Sequence, residues 1–140
     1  MAPVEALPPS RRLVLDSGAV LALARGDGAA RARLARAVHE GYVAVIPTPV
    51  LAQVHRGGHD HARIDRVVNA VDAMLPTSEA IARRAGELQA RAGTSDAVDA
   101  IVVAEALASV PALILTSDSR DLGRLLEGEP EADRVRILGV

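Results

Sequence analysis

Five aspartates have the types and spacing for metal chemistry: Asp16, Asp96, Asp99, Asp118 and Asp121. Two apolar runs end in an acid, "LVLD" at Asp16 and "LILTSD" at Asp118. A third acid, Asp99, lies near the start of the apolar segment "DAVDAIVVAEAL", with Asp96 one turn earlier; Asp121 follows Asp118 by the same step, a spacing that shares one helix face. Each acid alone is explained by helix capping or by the helix dipole. Convergence of Asp16, Asp99 and Asp118 would have a different consequence. Two like charges ~4 Å apart repel by about 4 kcal/mol at an effective dielectric of ~20, against a total stability of roughly 5–15 kcal/mol. Such a cluster must take up protons or a cation. Oxygen donors in a chain without cysteine point to Mg²⁺ or Mn²⁺, and a hydrated divalent ion is suited to phosphodiester hydrolysis.

Other side chains add to this pattern or compete with it. Arg56, three residues after Gln53, shares its helix face and has the guanidinium fork that binds phosphate. Thr116 and Ser117 are placed to hydrogen-bond a metal-bound water, or simply to end a strand and cap a helix. His55 and His59 have the i, i+4 spacing of a zinc pair, but Gly57-Gly58 interrupts the helix that pair needs, so exposed loop histidines are expected.

The elements that must position these groups alternate between strand and helix. Residues 12–16 read as a first strand, followed by helices in "SGAVLALARG" and "DGAARARLARAVHEG" and a second strand in "YVAVIP". "TPVLAQVHRGG" reads as a helix with Thr48 as cap and Pro49 at its first position, and "HDHARIDRVVNAVD" as another before a short strand near "AMLP". "TSEAIARRAGELQARAG" is a long helix with Thr77 at its start, and the apolar "TSDAVDAIVVAEALAS" predicts a buried helix. "ALILTSD", "SRDLGRLLEG" and "VRILGV" complete the pattern as strand, helix, strand. The fold class is α/β, with a central parallel sheet of about four to five strands flanked by helices on both faces. Residues 1–11 are expected to be a disordered tail and residues 12–140 a single domain.

Composition narrows the function classes. The chain has 140 residues, enough for one domain with a real core. Its hydrophobic share of 49% comes mainly from Ala, Val and Leu, with Tyr42 as the single aromatic, which argues against base stacking on exposed rings. A net charge of −2 excludes a polybasic nucleic-acid binder, and all 16 basic side chains are arginine. No signal-peptide pattern or membrane span is visible, so a cytoplasmic location is expected.

Taken in order, "LVLDSGAVLAL", "PVLAQVHRGG", "DAVDAIVVAEAL" and "ALILTSDSRDL" resemble a PIN domain, most closely the VapC-type toxins of bacterial toxin–antitoxin pairs. The resemblance runs from about residue 12 to the C-terminus. It implies a Mg²⁺- or Mn²⁺-dependent ribonuclease that cuts structured RNA, is restrained by a small cognate antitoxin, and forms a homodimer. Asp16, Asp99 and Asp118 fall on the family's acidic positions, with Asp121 as a helper. Where the family commonly carries a glutamate, this chain has Gln53, and Asp96 is the candidate to supply the missing charge. The alternative is a catalytically impaired PIN-like module that binds RNA or protein. Phosphoaspartate enzymes and receiver domains also place Asp at strand ends, but they usually rely on a lysine that this chain lacks.

Overall fold

The computed structural model describes residues 3–140. Five strands form one wholly parallel sheet: β1 (Arg12–Leu15), β2 (Val43–Pro47), β3 (Ala73–Leu75), β4 (Ala112–Thr116) and β5 (Val135–Gly139). Their spatial order is β3-β2-β1-β4-β5. Consecutive strand residues point to opposite faces, yet Leu13, Val14 and Leu15 are all fully buried, as are Val45 and Ile46. Both sheet faces are therefore covered, as uninterrupted apolar runs require.

Seven α-helices provide that cover among the described residues: α1 (Ser17–Ala24), α2 (Gly28–His39), α3 (Thr48–Val54), α4 (His61–Ala70), α5 (Glu79–Ala92), α6 (Ala97–Leu107) and α7 (Ser119–Leu126). Helix α1 packs against α2, α3 and α4, while α5, α6 and α7 pack on one another. Helix α6 lies against β1, β2 and β4 and buries Ala100, Val102, Val103, Ala104 and Ala106, as its nearly all-apolar sequence predicts.

Local differences from the predicted elements have simple causes. Ser78, not Thr77, caps α5, its hydroxyl accepting from the Ile81 N–H at 3.1 Å. Helix α3 starts one residue earlier than expected: Pro47 is its N-cap, Thr48 its first residue rather than its cap, and Pro49 its second rather than its first. Part of the expected N-terminal tail is laid down on the domain: Val4–Ala6 form a 3₁₀ turn, and Val4 and Leu7 pack against the core. Residues 1–2 of that tail lie outside the described residues.

The strand order places the site. From β1 the sheet grows one way through β2 to β3, and from β4 it grows the other way to β5. Right-handed crossovers then leave the adjacent strands β1 and β4 toward opposite faces. The crevice this opens beyond their carboxyl ends is where parallel sheets hold ligands. Asp16 immediately follows β1, and Asp118 lies two residues beyond β4.

Candidate metal centre

Asp16 is the N-cap of α1. One carboxylate oxygen accepts the Ala19 N–H at 2.8 Å, and the other accepts the hydroxyl of Thr116 at the end of β4. Only 4% of Asp16 is exposed. Burial pushes its carboxyl above the usual range and the charge of Asp118 adds to that, while the hydrogen bonds from Thr116 and Ala19 oppose it. Capping thus explains part of this acid's position but does not discharge the cost of its burial.

Asp118 caps α7, accepting the Asp121 N–H at 3.3 Å, and its own N–H donates to Thr116 Oγ1 at 2.8 Å. Thr116 therefore joins the two strand ends through a single buried hydroxyl. A close approach holds the same two turns together. A Cβ on Gly18 would fall 1.7 Å from Ser117 Oγ, so the β1–α1 turn meets the β4–α7 turn only because Gly18 lacks a side chain.

Helix α6 brings the third acid. Asp99 lies in its first turn, with its N–H donating to Asp96 at 3.0 Å. Its carboxyl is pushed up to about 7, first by burial and then by the charges of Asp96, Asp16 and Asp118. Carboxylate oxygens of Asp99, Asp118 and Asp121 lie within 4.8 Å of one another. Asp121 is raised as well, through its hydrogen bond to Asp118 and then through that residue's charge. Asp99 and Asp121 also line a cavity of about 150 Å³ with Thr94 and Arg124.

The predicted site residues separate into three groups. Asp99, Asp118 and Asp121 converge, and Asp16 stands close enough to raise Asp99. Asp96 is beside them, one of its oxygens engaged in capping its own helix. Gln53 is tied in through Ser17, whose hydroxyl donates to the Gln53 side-chain carbonyl. Ser117 acts as the neighbour of Gly18. Arg56 does not face the acids: its Nε donates to the backbone carbonyl of Gln53 at 2.8 Å, and it borders a separate cavity with His55 and His61. Arg124, absent from the sequence reading, stands at the acids instead. Its place three residues after Asp121 was the available signal.

The donor set consists of carboxylates, with hydroxyl and amide oxygens nearby, and neighbouring acids raise the proton affinity of Asp16, Asp99 and Asp121. That chemistry fits a hard divalent cation, which would replace the protons that otherwise relieve the repulsion.

Fold and site together define a parallel α/β domain with an acidic pocket at its switch point. The PIN domain model matches residues 13–127, and the chain belongs to the PIN domain family, whose members are typically nucleases. No curated protein sequence matches it. Nine chains of solved structures do. One is from the crystal structure of VapBC2 from Rickettsia felis bound to a DNA fragment from their promoter, with a TM-score of 0.68 and 14% identity over 91% of this chain and 98% of that chain. That likeness is one of fold. No helix among the described residues is long and apolar enough to cross a membrane.

Proposed function

We propose that this chain is a Mg²⁺- or Mn²⁺-dependent endoribonuclease, the toxin of a VapBC-type pair, and that it cleaves structured RNA in the cytoplasm. One observation carries the reading: acids from α6 and α7 converge in one pocket, with a buried acid from the end of β1 beside them. When bound, such an ion polarises a phosphodiester and lowers the pKa of a water. Asp99, Asp118 and Asp121 would hold it, with Asp16 supplying further negative charge from the pocket wall. Arg124 is the cation placed to meet a non-bridging phosphate oxygen. Asp16 is kept in one orientation by Thr116 and the Ala19 N–H, so the pocket need not reorganise when substrate arrives. Hydrolysis adds water across the P–O bond: hydroxide goes to phosphorus and the proton to the departing ribose oxygen.

The VapBC neighbour also favours a small antitoxin as partner. A groove of about 360 Å³ between α1, α2 and α4 is lined by Leu23, Leu34, Val38 and Val67 and rimmed by Arg31, Arg63 and Arg66. Val38 is 50% exposed there, which suits an amphipathic antitoxin segment carrying acidic residues. Homodimerisation belongs to the same proposal.

The test is cleavage of a structured RNA with and without Mn²⁺, comparing wild type with Asp99→Asn. Cleavage by the wild type alone, and only with metal, is expected; equal cleavage by both proteins would overturn the site. Gln53 favours one second reading, a PIN-like module that binds RNA or protein without cutting. Metal binding without cleavage in the wild type would select it.

A further inference from the structure

We propose that His55, His61 and Asp65 form a second divalent-metal site, suited to Zn²⁺, that staples the start of α4 to the end of α3. The sequence reads His55 and His59 as exposed loop histidines because Gly57-Gly58 breaks the helix between them. The break is real, and it creates the cluster. Gly57 and Gly58 adopt φ values of +76° and +90°, a left-handed turn that folds the chain back on itself. His55, the C-cap of α3, then meets His61, the first residue of α4, instead of its i+4 neighbour His59. Their ring centroids are 4.3 Å apart.

Asp65 lies one turn further along α4 and faces both rings. His61 Nε2 is 3.0 Å from one carboxylate oxygen, and His55 Nδ1 is 3.8 Å from the other. One donor atom from each of the three residues lies within 4.8 Å of the other two. Zn–N and Zn–O bonds of about 2.0–2.2 Å place the ligands of a tetrahedral ion roughly 3.3–3.5 Å apart. The observed separations bracket that edge, so small side-chain rotations suffice for ligation. Two imidazoles and a carboxylate form a borderline donor set, distinct from the oxygen set of the acidic pocket. All three side chains are 43–44% exposed, which leaves a coordination position open to water. Behind them Leu21, Val54 and Ile64 form an apolar wall to a cavity of about 200 Å³, the kind of surround that limits solvent at a metal. An isolated His61–Asp65 pair would explain one contact but not the return of His55 to the same carboxylate.

The staple would act at a distance from the proposed nuclease centre. Helix α3 carries Gln53 to Ser17, so an ion fixing its C-terminal end would also fix the amide beside Asp16.

The test uses the full chain in the Asp99→Asn background, which weakens the acidic pocket. With four histidines in the sequence, the imidazole nitrogens can be followed individually by NMR during Zn²⁺ titration. The expected result is that Zn²⁺ shifts His55 and His61 and leaves His39 unmoved. His55→Ala and His61→Ala should each weaken Zn²⁺ binding by at least roughly tenfold, the loss usual even for an outer-shell partner. Zn²⁺ binding unchanged in both alanine variants, or no shift at His55 and His61, overturns the proposal. Melting curves of the variants without metal serve as the control, and midpoints equal to that of the Asp99→Asn parent are expected for these surface substitutions. The readout does not depend on RNA cleavage, so a silent nuclease and an absent staple give different results.

Discussion

Thr116 and Asp16 are one hundred residues apart in sequence and share a hydrogen bond between adjacent strand ends, the hydroxyl donating to the carboxylate. The same hydroxyl oxygen accepts the Asp118 N–H at 2.8 Å. Thr116→Val keeps the shape of this fully buried side chain and removes both bonds. A carboxylate oxygen and an N–H are then left short of partners, which costs about 1–3 kcal/mol. Denaturant unfolding should show that loss. Mn²⁺ should also stabilise the variant less than the wild type, because Asp16 is no longer held in place. An unchanged unfolding midpoint would show that the hydroxyl is dispensable.

Asp99 makes stability depend on pH in a defined direction. Its ordinary value is 3.8, and the fold raises it to about 7. Between those values the native chain holds a proton that the unfolded chain has released. Metal-free stability should therefore fall as pH rises from about 4 to 7, and level off above. Glu105, buried on α6 and pushed up to about 7 mainly by burial, contributes with the same sign. Asp99→Asn should consequently flatten the slope without abolishing it, and raise the metal-free melting temperature at pH 8 while eliminating cleavage. A melting temperature lower than wild type at that pH would contradict the crowding of acids.

Gln53 offers a gain-of-function comparison. Its side-chain carbonyl accepts from Ser17, the residue after Asp16, so Gln53→Glu adds a negative charge at the pocket's edge. Mn²⁺ binding should tighten by roughly tenfold, or ~1.4 kcal/mol, and the metal-free protein should become less stable. Calorimetric titration measures the first effect and thermal melting the second. Equal Mn²⁺ affinity in the two proteins would place residue 53 outside the cation's reach.

The strands and the acids at their ends were legible in the sequence because both signals are local. An apolar run that stops at an acid marks β1 and Asp16, and the same reading found β4 and Asp118. The apolar surround of Asp99 marked a buried helix for the same reason. Facing directions were harder to read. Asp96 and Asp121 each lie three residues from a principal acid, yet one oxygen of Asp96 turns to the Asp99 N–H, whereas Asp121 converges with Asp99 and Asp118. Helical spacing says which residues share a face, but not what packs against that face. Arg56 shows the same limit: α3 stops at Val54, and the arginine folds back on the Gln53 carbonyl. The pairing of His55 with His61 depends on a left-handed Gly57-Gly58 turn, which spacing rules for continuous helices do not describe.

Gly18 tests whether the acids depend on the closeness of two turns. In the first turn of a helix, Gly→Ala ordinarily stabilises, by up to about 1 kcal/mol in a helix interior. Here the added Cβ would meet Ser117 Oγ at 1.7 Å and Ser117 Cβ at 2.7 Å. Rotating the serine hydroxyl away relieves only the first contact, so the β1–α1 and β4–α7 turns must separate. Gly18→Ala should thus destabilise by about 1–3 kcal/mol, as overpacking does. It should also weaken Mn²⁺ binding, because Asp16 and Asp118 sit on the turns that part. Ser117→Gly removes both side-chain contacts and leaves the backbone nitrogen at 3.3 Å, a spacing a small adjustment can absorb. The double variant should recover most of the loss, with a coupling energy of roughly 0.5–3 kcal/mol in a double-mutant cycle. Simple additivity of the two changes would mean that the turns yield independently. Recovery of stability and Mn²⁺ binding together would show that the acid pocket is assembled by the missing side chain of Gly18, and that Ser117 serves it as a spacer.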